Sequence, residues 1–172
     1  SYENQDALIY LMQPEDYITV NNIAYPIWDD KNNFSVNIIK VTTVENPNGF
    51  VGNMFDINQI EKFAKNLLTK NIILLIDEAY FYVENDCFNK KNLLKKYPNV
   101  IISQTFSKGH GLAGLRFGYL ISNTKLMYYL KKVRPMHEIS SLSAKAANWI
   151  FKRPYLHSEF QKSVKESKKY LI

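Results

Sequence analysis

Hydrophobic positions recur along this chain at two spacings, one helical and one extended, and they divide it into short elements. Residues 6–12 place Ala7, Leu8, Leu11 and Met12 at helical spacing, and Pro14 stops the run, which predicts a short opening helix. Residues 17–20 read as a brief strand. Pro26 then forces an extended or turn conformation on Tyr25, which puts Tyr25 at a strand end. Residues 36–44 are rich in β-branched side chains and run into Asn46-Pro47-Asn48-Gly49, a dense turn signal that ends a second strand. Asp56, followed three residues later by Gln59, has the form of a capping box. Ile60, Phe63, Ala64 and Leu67 continue it as one apolar stripe, so a helix is expected to about Thr69.

Ile72-Ile73-Leu74-Leu75-Ile76 is apolar on both faces and closes on Asp77, as expected of a buried parallel strand. A helical stretch over residues 93–97 is broken by Pro98, residues 100–102 form another strand, and residues 117–121 one more. Thr124 then caps a helix with Leu126, Tyr129 and Leu130 on one side. Strands alternating with helices predict an α/β fold with a mostly parallel sheet flanked by helices, whose ligands bind beyond the carboxyl ends of the strands. After Pro135 the pattern is wholly helical, over residues 143–151 and about 157–170. A boundary is therefore expected between Val133 and Ser140, giving a first domain at 1–133 and the helical start of a second at 134–172.

Composition narrows the functions open to such a fold. With 172 residues and 46% hydrophobic content, the chain can bury a core, which excludes a disordered polypeptide. The net charge of +6 is spread along the chain with no glycine-aromatic RNA signature or finger spacing, so no nucleic-acid partner is expected; a phosphorylated ligand explains the excess as well. Cys87 is the single cysteine, which leaves no disulfide framework, no expected metal site, and a preference for a reducing compartment, the cytoplasm. No apolar run is long enough to span a bilayer, and the opening SYENQDALIYLMQPED lacks a basic region before its apolar part, so neither a membrane partner nor a signal peptide is expected.

Three polar clusters fall at the carboxyl ends of predicted strands: Asn46, then Asp77 with Tyr80, then Thr105 to Lys108. An α/β sheet places its site there. A carboxylate closing an all-apolar strand needs a cation near it, and Lys108 on the neighbouring strand end, or a bound cation, is a candidate partner for Asp77. Gly109, Gly111 and Gly114 give backbone that approaches a ligand closely, and Arg116 offers a planar fork for a phosphate. Taken singly, each has an ordinary reading: Asp77 a structural cap, Lys108 a solvated lysine, Arg116 a surface ion-pair partner, Asn46 a turn residue.

Together they read differently. Asn46-Pro47-Asn48-Gly49-Phe50-Val51-Gly52, Asp77-Glu78-Ala79-Tyr80 and Thr105-Phe106-Ser107-Lys108 are followed by Gly111-Leu112-Ala113-Gly114-Leu115-Arg116. In order and spacing this closely resembles the class I/II aminotransferases of pyridoxal 5′-phosphate (PLP) fold type I, nearest to the histidinol-phosphate aminotransferase group. The resemblance implies the large domain of that fold, with PLP as cofactor. Lys108 would hold PLP as a Schiff base and carry protons as general base and acid. Asp77 would pair with the pyridine nitrogen, while Tyr80 and Asn46 would hydrogen-bond the phenolic oxygen. Thr105, Ser107 and Arg116 would hold the phosphate. Tyr25 matches the aromatic that stacks on the ring. Asn4 and Gln5, in a segment resembling the family's helix-entry loop, would offer backbone amides to the phosphate.

The sequence also departs from the family. Its loop lacks the second proline and the threonine of the usual Asn-Pro-x-x-Pro-Thr-Gly, and only about twenty residues separate Tyr25 from Asn46, where the family has a further helix and strand. The chain starts near the phosphate loop and stops before the small-domain arginine, so about half of a family member is expected here. What the resemblance implies is an aminotransferase acting on a small amino compound, phosphorylated or not, with an amino donor and acceptor as partners and a homodimeric assembly. The alternative is a PLP decarboxylase of a phosphorylated amino acid. From another class, a binding domain derived from the same fold stays open, though it would have no evident use for the charged cluster.

Overall fold

The computed structural model describes residues 19–28, 34–81, 90–132 and 139–170. Five strands, β1 (Thr19–Trp28), β2 (Phe34–Glu45), β3 (Ile72–Asp77), β4 (Val100–Thr105) and β5 (Gly118–Ser122), form one sheet in the order β1-β2-β3-β4-β5. The centre, β2-β3-β4, is parallel, and β1 and β5 run antiparallel on its two edges. Among the described residues five α-helices accompany it, α1 (Ile57–Thr69), α2 (Lys90–Lys96), α3 (Thr124–Lys132), α4 (Ser141–Phe151) and α5 (Pro154–Lys168), with a 3-10 turn at Ala113–Leu115. Helices α1 and α2 are the crossovers that parallel strands require, and they explain why the middle strands read as near-continuous apolar runs.

The capping box forms as the sequence predicts. The Asp56 carboxylate accepts from the Gln59 amide at 2.9 Å, and the Gln59 side chain accepts from the Asp56 amide at 2.9 Å. Ile60, Ala64 and Leu67 then face the sheet and join Val44, Leu74, Ile76, Leu93, Tyr97, Val100 and Ile102 in one core. Asn99 closes the layer, its amide donating to the carbonyls of Ala64 at 3.1 Å and Ile72 at 3.0 Å. Along β3, Leu74 and Ile76 are fully buried while Ile73 and Leu75 are half-buried, so one face of that strand is better covered than the other.

Several boundaries differ from expectation. Tyr25 lies inside β1 rather than at a strand end, because β1 is an edge strand, where a proline such as Pro26 leaves no central ladder bond unmade. The cap of α3 is Asn123, whose Oδ1 accepts from the Leu126 amide at 3.1 Å, and Thr124 is the first helical residue. Helix α5 starts at Pro154, well suited to a first turn where its missing N–H has no partner to lose. The predicted opening helix, Asn4, Gln5 and most of the expected domain boundary lie outside the described residues.

Candidate active site

The parallel order of β2, β3 and β4 does the first work of assembly. In register, Glu45 stands beside Asp77, and Asp77 beside Ser103. The three predicted polar clusters therefore emerge side by side at one sheet edge. Asn46 is buried and clamps its own loop: Oδ1 accepts from the Phe55 amide at 2.7 Å, Nδ2 donates to the Phe55 carbonyl at 3.3 Å, and its backbone N–H donates to the Asp77 carbonyl at 2.8 Å. Asn48 orders the tip by donating to Glu45 Oε2 at 3.0 Å and accepting from the amides of Phe50 at 3.0 Å and Val51 at 2.9 Å. Gly49 is required by close approach, since any Cβ there would overlap the Tyr80 ring.

Asp77 is half-buried, and its Oδ1 accepts from the Ala79 amide at 3.0 Å, which fixes the turn that presents Tyr80. Lys108 Nζ lies 5.1 Å from the centroid of the Tyr80 ring. The expected ion pair between Lys108 and Asp77 is not formed. Among the described residues, ion pairs join Lys90 to Glu78 and Lys96 to Glu61. The reason is exposure: the carboxylate that is driven fully out of water is Glu78, one residue on, while Asp77 faces the cleft.

The loop between β4 and β5 folds back on itself. Thr105 Oγ1 accepts from the Ser107 amide at 3.1 Å, the Gly111 amide donates to the Lys108 carbonyl at 3.0 Å, and the Leu112 amide donates to the Phe106 carbonyl at 3.0 Å. Gly111 has φ +67°, and Arg116 itself sits in the left-handed region at φ 48°. Phe106, 1% exposed, anchors the loop by stacking on Phe117 with ring centroids 4.3 Å apart and meeting Phe151 edge-on at 5.2 Å. Ser143 of α4 fixes the turn before Arg116 by donating to the Leu115 carbonyl at 2.8 Å. The result is a cleft of about 450 Å³ lined by Asp77, Ser103, Thr105, Ser107, Lys108 and Arg116 among others. Two cations and hydroxyls suit an anionic group, and a carboxylate on the same cleft suits a protonated ring nitrogen.

Tyr25 is not brought to this edge. It pairs with Asn37, and because β1 runs antiparallel, it lies back along β2 by the eight residues from Asn37 to Glu45, on the order of 26 Å of strand. Conversely, the structure puts residues at the site that sequence reasoning passed over. Ser103 joins the cleft through the period-two alternation of β4, which a strand reading to Thr105 would have shown.

Residues 18–172 match the family model described as aminotransferase class I and II. The chain belongs to that family. Among curated relatives, histidinol-phosphate aminotransferase 2 of Hydrogenovibrio crunogenus is 39% identical over 117 residues, covering 67% of this chain and 31% of that protein. The enzyme of the same name from Haemophilus influenzae is 41% identical over 110 residues, covering 63% of this chain and 30% of its own length. A crystal structure of histidinol-phosphate aminotransferase from Sinorhizobium meliloti in complex with pyridoxal-5′-phosphate superposes with a TM-score of 0.70 at 27% identity, covering 76% of this chain and 36% of that one. The fold of this aminotransferase-family chain is thus the PLP fold type I large-domain fold, and the chain spans about a third of the relatives it matches, less than the half expected.

Besides the cleft, this family member carries two further polar groupings. Glu78, 1% exposed, accepts from Lys90 Nζ at 2.7 Å and from Gln104 Nε2 at 2.5 Å, and the Tyr119 hydroxyl donates to Gln104 Oε1. Burial pushes the Glu78 carboxyl above its ordinary range, against the pull of Lys90. His110 stacks on His157 of α5 with ring centroids 5.5 Å apart. Burial, and then the neighbouring His157, push His110 down to about 4.

Proposed function

We propose that this chain holds pyridoxal 5′-phosphate on Lys108 and belongs to an aminotransferase acting on a small phosphorylated amino compound of the histidinol-phosphate kind. The observation that supports it most is the parallel neighbourhood of β2, β3 and β4, which gathers Asp77, Lys108, Thr105, Ser107 and Arg116 at one edge, with the Tyr80 ring near Lys108. The cleft offers cations and hydroxyls for a phosphate and a carboxylate for a basic ring nitrogen. When bound, the cofactor supplies an electron sink for the pair left when a bond at the substrate's α-carbon breaks.

The residues of the chain do the rest. Arg116 holds the phosphate with charge-assisted hydrogen bonds, beside the hydroxyls of Thr105 and Ser107. Asp77 keeps a proton on the ring nitrogen by an opposite charge at close range. Tyr80 and Asn46 would orient the phenolic oxygen, with Gly49 leaving room for the Tyr80 ring. Lys108 Nζ would anchor the cofactor and would serve as the base and acid that takes and returns a proton at the substrate's α-carbon. Phe50, 80% exposed, and Val51 extend the apolar rim of the Asn46 loop.

The wider assembly is read as a cytoplasmic homodimer with residues 1–133 as the cofactor domain and residues 134–172 opening a second one. Among the described residues no helix is long and apolar enough to cross a membrane. The deciding experiment gives the purified protein glutamate as amino donor and follows its visible absorbance together with carbon dioxide release. Transamination predicts loss of the band as the amino group moves to the cofactor, with no carbon dioxide. Stoichiometric carbon dioxide from a phosphorylated amino acid, with the band unchanged, would put a decarboxylase in its place.

A further inference from the structure

We propose that Glu78, acting through Gln104, is a positioning residue that locks the ends of β3 and β4 and so sets the distance between Asp77 and the Thr105–Lys108 segment. Alternation along the strands separates two layers. Asp77, Ser103 and Thr105 line the cleft, Glu78 is buried away from it, and Gln104, itself buried to 6% exposure, touches the cleft and reaches back to Glu78. The last residue pair of the β3–β4 ladder is Asp77 with Ser103. Beyond it, Glu78 makes two links to β4: its amide donates to the Ser103 carbonyl at 2.9 Å, and its carboxylate accepts from Gln104 Nε2 at 2.5 Å. The bonds bracket one strand end, one in the plane of the sheet and one below it.

The same side chain reaches sideways in both directions. Gln104 passes the link to Tyr119 on β5, and Lys90, whose Nζ lies 3.5 Å from the centroid of the Phe81 ring, braces the far side of the turn. Phe81 closes the turn by donating its amide to the Glu78 carbonyl at 3.0 Å. Asp77 and Tyr80 are carried on the backbone that these contacts immobilise. A charge in this place is not explained by stability, because a well-packed apolar side chain commonly serves a buried position as well or better than an ion pair. What an apolar side chain lacks is direction: the carboxylate specifies which face of Gln104 it meets and at what separation.

This inference rests on the reading of the cleft as a PLP site, and the experiment separates the two. Gln104→Met, nearly isosteric, removes the link to Glu78 while leaving the Glu78–Lys90 pair in place, Glu78→Met removes the carboxylate, and Glu78→Gln keeps an acceptor for Gln104. Each purified protein is loaded with pyridoxal 5′-phosphate, and three quantities are read: thermal midpoint, cofactor dissociation constant, and the pH midpoint of the visible band. That pH midpoint depends on where Asp77 and Tyr80 sit about the ring, with Lys108 and Arg116 unchanged in every variant. The positioning role predicts that Gln104→Met and Glu78→Met move the pH midpoint by about one unit, a tenfold change in proton affinity, and weaken cofactor binding about tenfold, whereas Glu78→Gln stays near the parent. If Glu78→Met does not fold, Gln104→Met decides alone. A pH midpoint that stays at the parent value in Gln104→Met, whatever its thermal midpoint, overturns the positioning role and leaves the cofactor site standing. A parent protein that shows no visible band overturns both.

Discussion

At the scale of single residues, the site depends on a few positions where one atom more or less is decisive. Gly49 is the sharpest case, because the Tyr80 ring occupies the space of a side chain there. Gly49→Ala must move either the Asn46 loop or Tyr80, and a cost of about 1–3 kcal/mol in unfolding free energy is expected from such overpacking, with weaker cofactor binding. Denaturant unfolding and a cofactor titration measure both, and parent-like values in both would show that the ring yields freely. That Asp77, Lys108, Thr105, Ser107 and Arg116 would meet at one cleft was legible in the sequence, because residue type and spacing both constrain them. Glu78 was not, though it stands next to Asp77. Its importance comes from which way it faces, and that depends on β3 carrying its alternation one residue past the apolar run. Tyr25 was placed by its type and by the proline after it, and the register of β1 on β2, a long-range property, moved it away from the cleft.

Elements with a local cause were the easiest to read. The capping box at Asp56 and Gln59 and the stripe behind it give α1 within a residue or so, since both signals are contained in one short window. Removing the cap by Asp56→Ala is expected to lower stability by about 1 kcal/mol, read as a shift of the denaturation midpoint at unchanged slope. The sheet edges were harder, because whether a strand pairs parallel or antiparallel is set by its neighbour. The loop from Phe106 to Phe117 belongs to this scale too, and His110 ties it to α5. Free in the unfolded chain, His110 titrates near its ordinary 6.5, and in the folded protein it is pushed down to about 4 by burial and by His157. Between those values the unfolded state takes up the proton more readily. Its contribution to stability is therefore full above pH 6.5 and is lost as the pH falls toward 4. The thermal midpoint should fall over that window, and His110→Phe, which keeps a ring against Phe106, should flatten the fall. An identical pH profile in the two proteins would remove His110 from the account.

At the scale of the whole molecule, the strand order explains why residues distant in sequence share a site: β2, β3 and β4 are consecutive in the chain, neighbours in the sheet and parallel, so their carboxyl ends coincide. Family membership and the likeness to a relative solved with pyridoxal-5′-phosphate support the ligand proposed for that edge. The homodimer proposed for the assembled enzyme is expected to show as an activity that falls on dilution, measured with sedimentation at the same concentrations, and a fully active monomer would contradict it. The central claim, however, is a single covalent one. Borohydride reduction of the protein loaded with pyridoxal 5′-phosphate, followed by mass analysis of its peptides, should find the pyridoxyl group on Lys108, within the Thr105–Arg116 segment, and Lys108→Ala should carry none. A pyridoxyl group on Lys90, Lys132 or Lys145 instead, with Lys108 unmodified, would contradict the account.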